Sequence, residues 1–199
     1  MRHSLRPELA RAAAALARAA EEGGLRALAV TAAARGEGVT TITAHLAREL
    51  VEDLGQRVLL VDLSADGQGL EGVLAGLAEP PQRLAEADVA TASARWVLTG
   101  LAIAAARELR QRLDALLAAA SGRFDIVLID APPVPDGLDA MVAARACGQA
   151  LLVIRAGNLP YETLERMRDD LVEAKVGIFG AILNQRRDVV PGWIDRLLR

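Results

Sequence analysis

Lysine is almost missing from this sequence: among 23 basic residues only Lys175 is a lysine, and the rest are arginines. Cysteine and histidine are as scarce, with Cys147, His3 and His45 the full complement. A single cysteine excludes an intrachain disulfide, and this set offers no credible Cys/His zinc site. A reducing, cytoplasmic setting is the expectation. Aromatic residues make up 3% of the chain within a hydrophobic fraction of 52%. The core must therefore be fine-grained and aliphatic, which suits helices packed on a parallel sheet. No apolar run approaches the roughly 20 residues of a membrane span, and residues 1–20, broken by arginines, lack the apolar centre of a signal peptide. Charge of either sign is interspersed rather than blocked, for a net −3, which argues against a nucleic-acid surface. The 199 residues suit one domain, with an N-terminal helix in 1–24 and a short C-terminal segment in 186–199.

What is present alternates. Pro7 to Glu22, rich in Ala, Leu and Arg and stopped by Gly23-Gly24, predicts a helix. Leu25 to Ala33 reads as a buried strand. Thr40 to Leu54, with Ile42, Leu46, Leu50 and Leu54 at helical spacing, reads as a second helix ending at Gly55. Arg57 to Ser64, Phe124 to Pro133, Ala150 to Gly157 and Gly177 to Gln185 are further apolar strands, with a helix at Tyr161 to Glu173. The middle predicts a short helix near Leu70 to Leu77, a turn at Pro80-Pro81, a strand at Trp96 to Leu101 and a helix through Ala104 to Ala120. Strands apolar on both faces alternating with helices predict an α/β fold, a P-loop NTPase-like parallel sheet sandwiched between helices, with ligands beyond the strand C-termini.

Between the first strand and its helix lies TAAARGEGVTT, Thr31 to Thr41. A phosphate loop of the form [GA]-x-x-x-x-G-K-[ST] is spelled here A-A-R-G-E-G-V-T, with Val39 where the lysine belongs. Gly36 and Gly38 would let the backbone fold around an anion, the helix N-terminus would supply positive potential, and Thr40 would offer a hydroxyl to magnesium. Asp62 and Asp130 each follow an apolar run, as carboxylates serving a hard cation at strand ends do. Plainer readings stand beside these: an ordinary strand-to-helix turn, and aspartates that cap neighbouring helices. His45 is expected on a helix surface or core edge, and Cys147 as a small buried hydrophobe.

Taken together the motifs resemble the bacterial polysaccharide-assembly tyrosine kinases, of capsular and exopolysaccharide type, within the MinD/ParA-like group of P-loop ATPases. VTAAARGEGVTTITAHLA (Val30 to Ala47) is similar to the family's loop, VLLVDLSAD (Val58 to Asp66) to its second motif, and DIVLIDAPP (Asp125 to Pro133) to its third. VGIFGAILNQ resembles the segment that ends in G-x-V-L-N. The likeness runs from about residue 25 to 185. It implies ATP or ADP with Mg²⁺, held by Arg35, Gly36, Glu37, Gly38, Val39, Thr40 and Thr41, with Asn184 facing the adenine. It also implies metal ligation by Thr40, Asp62 and Asp130, the two aspartates being catalytic. A transmembrane chain-length regulator is the implied partner, and Glu8 and Arg11, which keep two of the three positions of an E-x-x-R-x-x-R helix pattern with Ala14 in place of the last Arg, give weak support to ring assembly.

The departures fall on the chemistry. Val39 replaces the lysine, Ser64 the second motif's second Asp, and Asp66 its Arg. Ala34 fills the slot where related ATPases carry a second lysine, and Arg35 is a poor substitute for a point charge. Phosphoryl transfer depends on positioning and charge stabilisation, so weakened nucleotide binding and impaired turnover are expected. Tyr161 is the one tyrosine, so self-phosphorylation on a tyrosine-rich tail is not expected. Trp193, Ile194, Leu197 and Leu198 would pack on the body or a partner, or form a short membrane-surface helix. Three functions remain open: an impaired, kinase-like docking subunit of polysaccharide export, an active tyrosine kinase acting on a partner, and a MinD/ParA-like positioning ATPase.

Overall fold

The computed structural model describes residues 6–63, 69–75, 77, 79–100, 106–157 and 159–185. Ser64 and Asp66, His3 and the C-terminal segment 186–199 lie outside them.

Helix α1 (Arg6–Glu21) is followed by β1 (Ala27–Ala32), α2 (Val39–Glu52), β2 (Val58–Asp62) and the short α3 (Gly69–Leu74). Then come β3 (Gln82–Arg83), a 3-10 turn at Glu86–Thr91, β4 (Trp96–Gly100) and α4 (Ala106–Ala120). The chain continues through β5 (Ile126–Asp130), a 3-10 turn at Val134–Asp136, α5 (Leu138–Cys147), β6 (Gln149–Arg155), α6 (Tyr161–Glu173) and β7 (Gly177–Asn184). All strand pairings are parallel, in the order β3-β4-β2-β5-β1-β6-β7.

The period of two along each strand divides the core. Leu28 and Val30, Val58 and Leu60, Ile126 and Leu128 face α1, α2 and α3 and pack with Leu9, Leu16, Ile42, Leu46 and Leu50. Ala27 and Ala29, Leu59 and Val61, Val127 and Ile129 face the opposite layer, with Leu109, Leu113, Ala143, Ala144, Met167 and Leu171 of α4, α5 and α6. Each fully buried Leu contributes about 1.5–3 kcal/mol by leaving water. The sheet is thus apolar on both faces because both are covered, as the alternation predicted.

Boundaries and content differ in places. The second helix stops at Glu52, and Leu54 beyond it is 39% exposed rather than core; the left-handed Gly55 (φ 70) turns the chain towards β2. Helix α5 was not anticipated from periodicity. Its Ala140, Ala143 and Ala144 are buried while Met141 and Val142 are half-buried against the same core, so little polar contrast marks its faces. Strand β3 escaped notice because its two residues are polar and exposed.

Candidate active site

Two register relations build the site. Asp62 pairs with Asp130 across β2 and β5, and Asp130 pairs with Val30 across β5 and β1. Neighbouring strands lie about 4.8 Å apart, so two carboxylates stand side by side at the strand C-termini, beside the strand that feeds the loop. By alternation both project towards the α2 layer, where that helix begins. The central β1, with β5 on one side and β6 on the other, is where the chain changes its direction of travel across the sheet, and a crevice opens there.

The loop from Ala34 to Gly38 lines a cleft of about 650 Å³ with Val39, Thr40 and Thr41, and with Asp130, Pro132, Pro133, Asp136 and Asp139 opposite. Gly36 and Gly38 both have positive φ, 78° and 95°. Gly38 is the N-cap of α2 and supplies no side chain to cap it, leaving first-turn N–H groups for an anion. Val39, the first helical residue, lies half-buried against the core cluster beneath α2. Thr40 hydrogen-bonds to Asp130.

Asp130 is 5% exposed, and burial pushes its pKa up from 3.8 to about 7, opposed by the Thr40 hydrogen bond and reinforced by the charge of Asp62. A buried carboxylate beside a threonine hydroxyl at the cleft offers oxygens suited to a hard divalent cation. Asp62 is fully buried, and its Oδ2 accepts the N–H of Leu70 at 2.8 Å, near the start of α3. The helix-capping alternative is therefore realised for Asp62, whose side chain does not line the cleft. Among the described residues no cluster of three or more His, Cys, Asp or Glu forms a metal cage, so a cation here would need oxygens from its ligand or water.

Two site residues, Glu37 in the loop and Asn184 at the end of β7, have structural attachments that the motif did not announce. Glu37 is 1% exposed, and its carboxylate accepts the backbone N–H of Arg155 at the end of β6. Asn184, expected to face an adenine, has its amide on the loop: Nδ2 donates to the Glu37 carbonyl at 2.7 Å, and Oδ1 accepts the Gln185 N–H at 2.8 Å. Arg155 and Asn184 are themselves paired across β6 and β7. The loop is thus fastened at its turn to two adjacent strand ends. Arg35 donates from Nε to Asp136 Oδ2 at 2.6 Å. His45 sits half-buried in α2 with Nδ1 2.7 Å from the Thr41 carbonyl, and Cys147 is half-buried against the core, its thiol pKa raised to about 12 by desolvation.

No protein-family model matches the chain. Its sequence matches "Tyrosine-protein kinase etk" of Escherichia coli (strain K12) at 38% identity over 76 residues, 38% of this chain and 10% of that protein. It matches "Tyrosine-protein kinase CpsD" of Streptococcus agalactiae serotype III at 31% identity over 72 residues, 36% of this chain and 31% of that protein. Over those stretches the chain is similar to bacterial tyrosine-protein kinases. The matched stretches span about a tenth and under a third of those proteins. Among solved structures, the kinase domain of Escherichia coli tyrosine kinase ETK superposes with a TM-score of 0.66 at 24% identity, covering 92% of this chain and 78% of that one. Cobyrinic acid a,c-diamide synthase from Mycobacterium smegmatis, with bound ADP and magnesium, gives 0.61 at 21% identity over 87% and 80%. These superpositions establish the P-loop NTPase-like α/β fold of the chain, shared by a tyrosine kinase domain and by an enzyme of other chemistry. No helix among the described residues is long and apolar enough to cross a membrane.

Proposed function

We propose that this chain is a kinase-like, nucleotide-responsive subunit of polysaccharide assembly or export, impaired in phosphoryl transfer and working at the cytoplasmic face of the membrane by docking to a transmembrane chain-length regulator. The observation that carries this reading is the combination at the start of α2. The glycine bend keeps its left-handed turns and Thr40 keeps its bond to Asp130, while Val39 occupies the lysine position with its side chain against the core. Geometry survives where charge does not. ATP or ADP with Mg²⁺ would be held by the amides of Gly36 to Thr41, with Thr40 and Asp130 towards the metal and Asp62 behind them. The cation would shield the phosphates from the carboxylates; the chain's residues would bind and orient. Without a lysine to spread developing charge, turnover falls by roughly 100-fold or more.

The test is calorimetric titration with Mg·ATP of the wild-type chain beside Val39→Lys. Because Val39 is half-buried, the lysine stem can leave the core at small cost and carry its ammonium to the cleft. A charge-assisted hydrogen bond is worth about 1.5–3 kcal/mol, so affinity should tighten by roughly 10- to 100-fold. Unchanged affinity would mean that the bend no longer cradles phosphate or that another group already compensates for the missing lysine. The preserved Thr40–Asp130–Asp62 arrangement also supports a second reading, an active tyrosine kinase acting on a partner. Transfer of labelled γ-phosphate to a tyrosine substrate, abolished by Asp130→Ala, would favour that reading over the first.

A further inference from the structure

Among the described residues Arg35 is the one basic residue lining the cleft, against Asp130, Asp136 and Asp139 and a Glu37 carboxylate already bonded to the Arg155 N–H. A polyphosphate entering here meets more carboxylates than cations, so the orientation of Arg35 weighs heavily on binding. In this structure Arg35 is turned onto Asp136, Nε to Oδ2 at 2.6 Å, which joins the loop after β1 to the turn after β5, two walls of the cleft. The partners are unequal: the Arg35 side chain is 84% exposed, that of Asp136 only 27%. The acid's side chain is the more covered of the two, and the guanidinium reaches it through solvent. Exposed ion pairs of this kind are weak and exchange partners readily, and guanidinium matches phosphate oxygens in the same forked geometry that it offers a carboxylate.

We propose that Arg35 is the phosphate-contacting cation of this cleft and that Asp136 withholds it, so that the pair is an autoinhibitory latch opened by a competing polyphosphate. The inference rests on the nucleotide-site reading above. Binding transfers Arg35 from the acid to the phosphate, and the link between the two cleft walls is released in the same exchange. A nucleotide would thereby loosen the turn at Val134–Asp136 that precedes α5.

A double-mutant cycle tests this, read as the affinity for Mg·ATP at low salt. Asp136→Asn should tighten binding by about 3- to 5-fold, the range open to an exposed pair, and Arg35→Ala should weaken it by about 10-fold. In the Arg35→Ala background, Asp136→Asn should have no effect, because there is no cation left to release. Arg35→Lys should restore part of the affinity, and the salt dependence of binding should flatten in Arg35→Ala. Equal tightening by Asp136→Asn in both backgrounds would reduce the acid to simple repulsion and overturn the latch; so would an Arg35→Ala variant that binds as the wild type does. The cycle is run in parallel on Val39→Lys protein. Coupling absent there, although that protein binds Mg·ATP, defeats the latch alone. Absence of binding in every background defeats both the latch and the nucleotide-site reading.

Discussion

Asp130→Asn is expected to stabilise the metal-free protein by up to about 4 kcal/mol at pH 8 while leaving it unchanged near pH 3. The Asp130 carboxyl titrates near 7 in the fold against 3.8 in its ordinary setting, with burial the main cause. Below 3.8 both folded and unfolded chains hold the proton and no penalty exists. Between 3.8 and about 7 the unfolded chain releases it and the folded chain keeps it, so stability falls as pH rises, by about 1.4 kcal/mol per pH unit. Above 7 both are ionised and the full penalty remains. Asn mimics the protonated carboxyl, can still accept the Thr40 hydrogen bond, and has no charge for Asp62 to repel.

Urea titrations in EDTA at pH 4, 6 and 8 would read this directly, the wild type losing stability across the series and Asp130→Asn much less. At about 2–4 °C per kcal/mol for a chain of this size, the melting point at pH 8 should rise by roughly 10 °C. A variant as pH-dependent as the wild type would locate the effect elsewhere. The Arg57–Asp125 pair does not imitate it: its hydrogen bonds to Arg57 hold Asp125 below 3.8, so its contribution is present above that pH and lost only below it. Mg²⁺ should raise wild-type stability at pH 8 more than that of the variant, because a cation on Asp130 offsets the penalty that Asn has already removed. The same carboxylate that weakens the empty fold is thus the one prepared for a metal.

The sheet was legible because β1, β2 and β5 are unbroken apolar runs, a pattern that only burial on both faces explains. Its strand order was not, since nothing in a sequence says that Asp62 and Asp130, 68 positions apart, become register partners. Helix α5 was missed for the opposite reason to β3. Alanines facing several ways give no helical stripe, and Gln82-Arg83 gives no apolar signal at all.

Among the residues that line the cleft, motif reading had named Gly36, Gly38, Thr40 and Asp130. It had no means of finding the attachments behind them. Glu37 lies between two glycines like any solvent-facing turn residue, yet its carboxylate is buried under a strand end 118 positions away. The Asn184 side chain meets the loop 147 positions away, and Arg35 meets Asp136 across 101. Such contacts exist only once β6, β7 and β5 have been set around β1, so they belong to topology rather than to local pattern.

Gly38→Ala should be far more damaging than Gly36→Ala, although both glycines have a positive φ. A left-handed conformation costs an L-residue about 1–2 kcal/mol, and for Gly36 that is the whole penalty, because nothing lies within 4 Å of an added Cβ. At Gly38 the new methyl would stand 2.3 Å from Asn184 Nδ2, so the amide must move and abandon the Glu37 carbonyl. Losing that buried bond adds about 1–3 kcal/mol, for a total near 2–5 kcal/mol. Thermal unfolding of Gly38→Ala, Asn184→Ala and the double variant would separate the terms. Asn184→Ala clears the space that the methyl needs, so the double variant should be destabilised by less than the sum of the singles. Strict additivity would mean that the strain at Gly38 is its own and that Asn184 does not hold the loop. Phosphate binding should follow the same order, Gly36→Ala weakening it less than Gly38→Ala, because only the second forces the bend away from the strand ends that fix it.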